Sequence, residues 1–378
     1  MLFAALAMVS CGGQDADEPA KTTAKGVISG FGSMHVNGIQ YATDTATVTI
    51  DGIPTTVNDL QVGMVVTVKG TINADRTAGV ATAIEFCDLL QGPVTAIDPA
   101  AGTITIFGQT IRVDKETFYA HFSGLAALNV GDIVEVSGFP DGAGALMATY
   151  LDKKTPLDES EFKGQVTGPV RATAFTVLIA RNSTPVTVIS ASAIDPLIKE
   201  GSSVEVTTAS AGSAGATVTA TGVRRWELLP IANGERVEME GYITESKGAH
   251  GFQINGIPVT AGGFTAAKDL TAGRKVTVSG TKSNGLLLAT TIEKEQRSDV
   301  TLGGEVYSVA PGTLTLNLQG CTVFVKERTA FRDDSSRHDR NFGLEGVSGV
   351  KTGDYLEVSG ELGGNNIIAT KIVRKNRQ

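Results

Sequence analysis

The sequence predicts an all-β chain, a tandem array of five small five-stranded OB-like β-barrels. Three observations carry this: one frame of residues recurs five times in register, the hydrophobic period is two nearly throughout, and turn residues separate the strand-forming runs. The frame is an aliphatic residue, Gly three later, two strand aliphatics and usually a second Gly. It reads Leu60-Gly63-Val66-Val68-Gly70, Leu128-Gly131-Val134-Val136-Gly138, Ile198-Gly201-Val204-Val206-Thr208, Leu270-Gly273-Val276-Val278-Gly280 and Val350-Gly353-Leu356-Val358-Gly360. A period of roughly 65–80 residues is too long for a solenoid repeat and suits a small domain.

Each copy opens with Gly-x-aliphatic, as in Gly26-Val27-Ile28, Gly92-Pro93-Val94, Gly164-Gln165-Val166, Gly241-Tyr242-Ile243 and Gly304-Glu305-Val306. A glycine there lets the first strand bend around a small barrel. Asn37-Gly38 and Asn255-Gly256 then supply the positive φ angles of two-residue hairpins, as Asn284-Gly285 and Asp141-Gly142 do later in their copies. In repeat 2 the five strands read Gly92–Ile97, Thr103–Phe107, Thr110–Asp114, Asp132–Phe139 and Ala145–Leu151. The widest gap, between the third and fourth, is where an OB-fold carries its helix or loop. In the fourth strand Val134 and Val136 face one side while Glu135 and Ser137 face the other, as in a half-buried strand. The fifth carries Ala-Thr-x-aliphatic, at Ala81-Thr82, Ala148-Thr149, Ala220-Thr221, Ala289-Thr290 and Ala369-Thr370. The barrels span 24–88, 89–155, 161–226, 235–296 and 299–375. With 45 Gly and 41% hydrophobic residues the chain suits five small cores and not one large one.

The linkers differ. Phe86-Cys87-Asp88-Leu89-Leu90 and Trp226–Ile231 are apolar bridges that need burial, whereas Asp152–Pro156 and Glu293–Asp299 are polar and suit water. This predicts stiff pairs 1–2 and 3–4, hinged between 2 and 3 and again before 5, in an extended array of about 140 Å, since a module of this size is roughly 28 Å across.

Residues 1–11, MLFAALAMVSC, resemble a bacterial lipoprotein signal whose cysteine, Cys11, is the lipid attachment site; residues 12–23 form an acidic tether. The apolar run is short and no Lys or Arg precedes it, which places the start of translation upstream of Met1. Gly12, where some lipoproteins have Asp, implies outer-membrane sorting, facing periplasm or cell surface. Cys87 and Cys321 are expected to be isolated thiols, because a disulfide between them would require the array to fold back.

Gly30-Phe31-Gly32-Ser33, Val36-Asn37-Gly38-Ile39 and Val62-Gly63-Met64-Val65-Val66 resemble an uncharacterised bacterial lipoprotein family built from repeated OB-like β-barrel domains of unknown function. The resemblance implies an envelope address and adds no catalytic residue. Repeat 3 departs most, with Thr208 for glycine and a Ser/Ala/Gly tract over Ala209–Ala216.

Chemistry is sparse. The histidines, at 35, 121, 250 and 338, sit in four repeats without ligand partners at zinc spacing, so neither metal nor cofactor is expected. Glu135, Glu205 and Glu357 share an outward strand position and read as solvated-face residues, and Arg332–Arg340 reads as a solvated loop. Phe118, Tyr119, His121 and Phe122 are the candidate ligand contacts: they either offer aromatic faces to a sugar or peptide or plug a barrel mouth. With 32 basic against 40 acidic residues and net charge −8, the chain has the wrong sign for a phosphate backbone. The reading is a non-enzymatic, lipid-anchored binding or scaffold protein, with an envelope polymer or protein as partner. The alternatives are an envelope-acting enzyme with its site at one barrel mouth and a nucleic-acid-binding OB protein.

Overall fold

The computed structural model describes residues 20–31, 33–155, 159–180, 183–209, 216–226, 231–247, 251–260, 270–294, 300–316, 321–342, 346–363 and 366–377. Cys11, His250, Glu295–Asp299 and much of the repeat 3 tract and of the Trp226–Ile231 bridge lie outside them. The described residues form strands and short 3-10 turns.

Repeat 5 shows the barrel most simply. Its strands, Val300–Ala310, Thr313–Leu316, Thr322–Asp333, Tyr355–Gly363 and Asn366–Lys375, close in the order one-two-three-five-four, with three and five parallel. The same circuit of pairings recurs in repeat 1, repeat 3 and repeat 4. In repeat 2 the bent first strand is split into Leu90–Pro93, on strand four, and Ala96–Asp98, on strand two. This is the order of an OB-fold barrel.

The recurring frame explains how each barrel shuts. Gly63, Gly131, Gly201, Gly273 and Gly353 all have φ between 82° and 99°. Each donates its N–H to strand one, to Ile28, Val94, Val166, Ile243 and Val306, at 2.8–2.9 Å. The aliphatic three residues earlier is buried in every copy. Further along strand four a bulge sets two residues of strand five against one, and the extra residue is always the threonine of Ala-Thr. Thr82, Thr149, Thr290 and Thr370 hydrogen-bond back across the bulge to the carbonyls of Lys69, Ser137, Ser279 and Ser359 at 3.1–3.2 Å. The glycine beside it has no room for a side chain: a Cβ on Gly70, Gly138, Gly280 or Gly360 would stand 2.0–2.2 Å from a strand-five carbonyl. In repeat 3 Thr208 takes that place and donates its hydroxyl to the corresponding carbonyl, Thr219 O, at 2.8 Å. The departure is therefore a local substitution within an unchanged barrel.

The modules do not form an extended array with stiff pairs 1–2 and 3–4. Strand one of repeat 1, Ala20–Gly30, pairs in parallel with strand one of repeat 4, Arg236–Ser246, over Thr22–Lys25 and Arg236–Met239. Strand one of repeat 2 pairs antiparallel with strand one of repeat 3, Glu159–Thr167. Repeats 1 and 4 thus share one twelve-stranded sheet and repeats 2 and 3 another. The cause is geometric, since a bent first strand is covered on one edge only along half its length, and unpaired backbone groups seek partners. Residues 20–23, read as tether, are the start of this strand, with Thr22 and Thr23 buried.

Two readings of charge are corrected for the same reason. Glu135 and Glu205 are buried, because the outer face of one barrel is the interface with the next; Glu135 pairs with Lys154 at 3.0 Å and Glu205 takes both arms of Arg224 at 2.6 Å. The Arg332–Arg340 run is not a solvated loop. Arg332 donates to Tyr119 O, Arg340 donates to the carbonyls of Val57 and Leu60 and lies over the Phe31 ring, and Asp333 is held by Arg374. Arg332 and Arg340 thus dock repeat 5 on repeats 2 and 1, and the Asp333–Arg374 pair holds the run to its own barrel. Asp152–Lys154, read as open linker, is also tied down, with Asp152 buried, Lys153 paired to Asp132 and Lys154 to Glu135 and Asp152. The bridge Phe86–Leu90 is buried at both ends, as expected, and Cys87 and Cys321 are free thiols although the chain folds back.

Replacing Gly138 by Ala forces its Cβ against Met147 O and should lower stability by about 2 kcal/mol or more, read as a lower thermal midpoint. Thr208→Val, which exchanges the hydroxyl for a methyl and keeps the branch, should cost about 1 kcal/mol. Equal effects would show that the bulge glycine is not sterically required.

Candidate functional site

Repeats 1, 2, 4 and 5 converge around a cavity of 710 Å³, inside the size range of small-ligand sites. It lies between barrels and not at any one barrel's mouth. Its walls combine residues of the shared motifs, the Asn37-Gly38 turn and Thr149, with charged residues particular to single copies: Glu116 from repeat 2, Glu240 and Lys275 from repeat 4, and Arg328 and Lys371 from repeat 5.

The walls are largely cross-linked. One Glu240 oxygen accepts from Lys275 Nζ at 2.7 Å and the other from the Val27 N–H at 2.8 Å, with Glu116 3.8 Å from the same ammonium. Arg328 donates to Thr277 Oγ1 at 2.5 Å and to Glu293 at 2.7 Å, which fastens repeat 5 to repeat 4. Asn37 reaches back from its turn to donate to Lys25 O and, across to repeat 4, to Glu238 O. Its Oδ1 is buried without a hydrogen-bond partner among the described residues, packed over Gly26 as Asn255 Oδ1 is over Gly241 in repeat 4.

Lys371 is the unusual group. It is buried, donates to Lys115 O at 3.2 Å and Thr117 O at 2.9 Å, and stands 4.3 Å over the Phe118 ring. Lost hydration, with Arg332 as a further cause, holds its ammonium down to about 8.

The four aromatic-cluster candidates separate. Phe118, on the short strand Phe118–Ala120 beside strand five of repeat 2, is only 2% exposed and is a peg in the core of repeat 1. Gly63 makes room for it, since a Cβ there would lie 2.8 Å from the ring. Arg332, 4.6 Å from the ring centroid, and Lys371 hold it in cation–π contact. Tyr119 and Phe122 meet edge to face at 5.2 Å against the core of repeats 2 and 3. His121 alone is open, 74% exposed, with Nδ1 2.6 Å from Asp152 Oδ1. It borders a separate 320 Å³ recess with Asp59, Glu135 and Lys154.

A second buried cluster lies apart from the cavity. Lys163, 1% exposed, meets Asp88, Asp51 at 3.0 Å and Glu161 at 2.9 Å, with Glu205 at 3.8 Å. The three nearer carboxylates lie close enough to one another to hold a cation. The ammonium is their counter-ion here, and burial raises Asp88 well above the usual carboxylate range while the carboxylates raise Lys163.

No sequence motif marks the cavity, because it exists only once four modules pack. The Phe118 segment was visible as an aromatic cluster with a plug among its readings, but that Phe118 enters the core of repeat 1 and not of its own barrel was not.

The family described as "Domain of unknown function (DUF5666)" matches residues 25–85, 91–152, 240–293 and 303–373, more than half of the chain, and the chain belongs to it. Repeat 3 falls outside the matched stretches while keeping the barrel. No curated protein matches the chain. A crystal structure of a multidomain protein with nucleic acid binding domains from Streptococcus pneumoniae TIGR4 aligns at 11% identity, covering 58% of this chain and 73% of that one. Its TM-score of 0.17 carries no argument about this chain.

Because Lys371 is held below its unfolded value, the sign of its effect on stability follows. Below pH 8 both states carry the proton and the full destabilisation is present. Between pH 8 and 10.5 the unfolded chain binds the extra proton, so stability rises with pH, by at most roughly 1.4 kcal/mol per unit. Lys371→Met lacks this gain. The difference in thermal midpoint, variant minus wild type, should fall steadily from pH 8 to pH 10, and a constant difference would contradict the assignment.

Proposed function

We propose that this member of the DUF5666 family is a non-enzymatic binding and scaffold protein of the bacterial envelope, lipid-anchored through Cys11, with the four-barrel cavity as its ligand site. The observation behind the ligand site is that residues common to the copies serve barrel closure, while polar residues particular to single copies converge on one cavity. The pairs Glu240–Lys275 and Glu293–Arg328 balance charge along the wall, so the cavity favours a polar ligand of low net charge, such as a hydroxyl- and amide-rich segment of an envelope polymer. Support for the anchor comes from the sequence up to Cys11.

Expressed in a bacterium from its full gene, the protein should take up labelled fatty acid, and the Cys11→Ala variant should not; label on the variant would refute the anchor. For the ligand site, immobilised Cys11→Ala protein should retain an envelope polymer from solubilised extracts. Ser29→Trp, which fills the cavity from repeat 1, should release it. Cleavage of the polymer during the incubation would favour the enzymatic alternative.

A further inference from the structure

Of the five first strands in this chain, four pair with one another. Repeat 1 joins repeat 4, and repeat 2 joins repeat 3, in each case first strand to first strand. Among the described residues the fifth, Val300–Ala310, pairs only with strands two and four of its own barrel. We infer that the outer edge of Val300–Gly304 is a self-association surface, on which a second copy of this chain pairs the same strand antiparallel about a two-fold axis.

The backbone fixes which groups are on offer. The Val306 N–H bonds to Asp354 O on strand four at 2.8 Å, so alternate residues back to Val300 face strand four, and Thr301 and Gly303 face outward. The equivalent positions elsewhere are already engaged. Counting back from Ile28, they are Thr23 and Lys25, both in register with repeat 4. Counting back from Val166, they are Glu161, opposite Gln91, and Lys163, whose N–H donates to Leu89 O at 2.9 Å.

Edge strands that must stay single are blunted by charge, proline or a bulge. Val300-Thr301-Leu302-Gly303-Gly304 has no charged residue and no proline, and its pairing with strand four is regular from Val300 to Glu305. Thr301 is exposed and Leu302 and Gly303 are half-buried. A second copy is the occupant because the chain already uses first-strand pairing as its rule of assembly, because the first strands of the other four described repeats are engaged with one another, and because an isologous antiparallel contact satisfies both copies at once. The antiparallel junction of repeats 2 and 3 is the intramolecular precedent.

The test is sedimentation of the full Cys11→Ala chain across the micromolar range. A reversible monomer–dimer equilibrium is expected, weakened roughly tenfold or more by Thr301→Pro, which removes one outward N–H from each copy and none from the barrel's own ladder. Should that variant misfold, single cysteines at Val300, Thr301, Leu302 and Gly303 keep the question open to measurement. Under mild oxidation one or two of them should give a disulfide-linked dimer that the parent chain does not. A chain that stays monomeric throughout, a dimer indifferent to a folded Thr301→Pro, or a dimer that none of the four cysteines cross-links would each overturn the proposal.

Discussion

A five-stranded barrel of this order closes only if its first strand serves two neighbours, strand four along one half and strand two along the other. That strand must bend, and its first half is left with an uncovered edge. Much of the molecule follows from this edge. A soluble barrel with a row of unpaired amides either blunts them or gives them a partner, and four of the five copies give them one another. The result is two shared sheets in place of five beads on a string, with the fold-back path of the chain imposed by backbone hydrogen bonding and not by linker composition.

Once the barrels are joined edge to edge, their outer faces become interior and side chains that would be solvated in a lone barrel must find counter-charges. Lys163 shows the cost most clearly. Taking one ammonium and three carboxylates out of water is unfavourable unless they neutralise one another, and removing a single partner from such a group typically costs about 3–5 kcal/mol. The cluster draws its members from repeat 1, the first bridge and repeat 3, so its geometry exists only when those three are in place. Arg332 and Arg340 do the equivalent work for repeat 5, where cation–π contacts with Phe118 and Phe31 add shape to charge, while Arg374 braces Asp333 and Phe342 within that barrel.

The barrel was legible in the sequence because its requirements are local. Gly131 must adopt a positive φ, Gly138 must lack a Cβ, and the strand-four valines must alternate; each leaves a mark at a fixed position that survives five repetitions. The relation between barrels was not legible, because pairing Thr22–Lys25 with Arg236–Met239 joins residues more than two hundred positions apart and leaves no periodic trace. Polarity misled for the same reason. Glu205 and Arg332 carry the charge expected of surface residues, and only the neighbour that covers them shows that they are interface. The Ala-Thr motif lay in between: its recurrence was plain, but its role required seeing a bulge.

The cavity among four modules differs in kind from a barrel-mouth site. A mouth is made by the loops of one module and varies freely with them, whereas this space is bounded by four barrels whose positions are fixed by two strand pairings and a set of buried ion pairs. Lys371 connects the two, since it donates to the carbonyls of Lys115 and Thr117 in repeat 2 while lining the cavity. A ligand that shifted Lys371 would therefore disturb the seat of Phe118 and with it the contact between repeats 1, 2 and 5. Occupancy of the cavity and cohesion of the modules are in this way two readings of the same set of contacts, and binding is tied to assembly without any hinge.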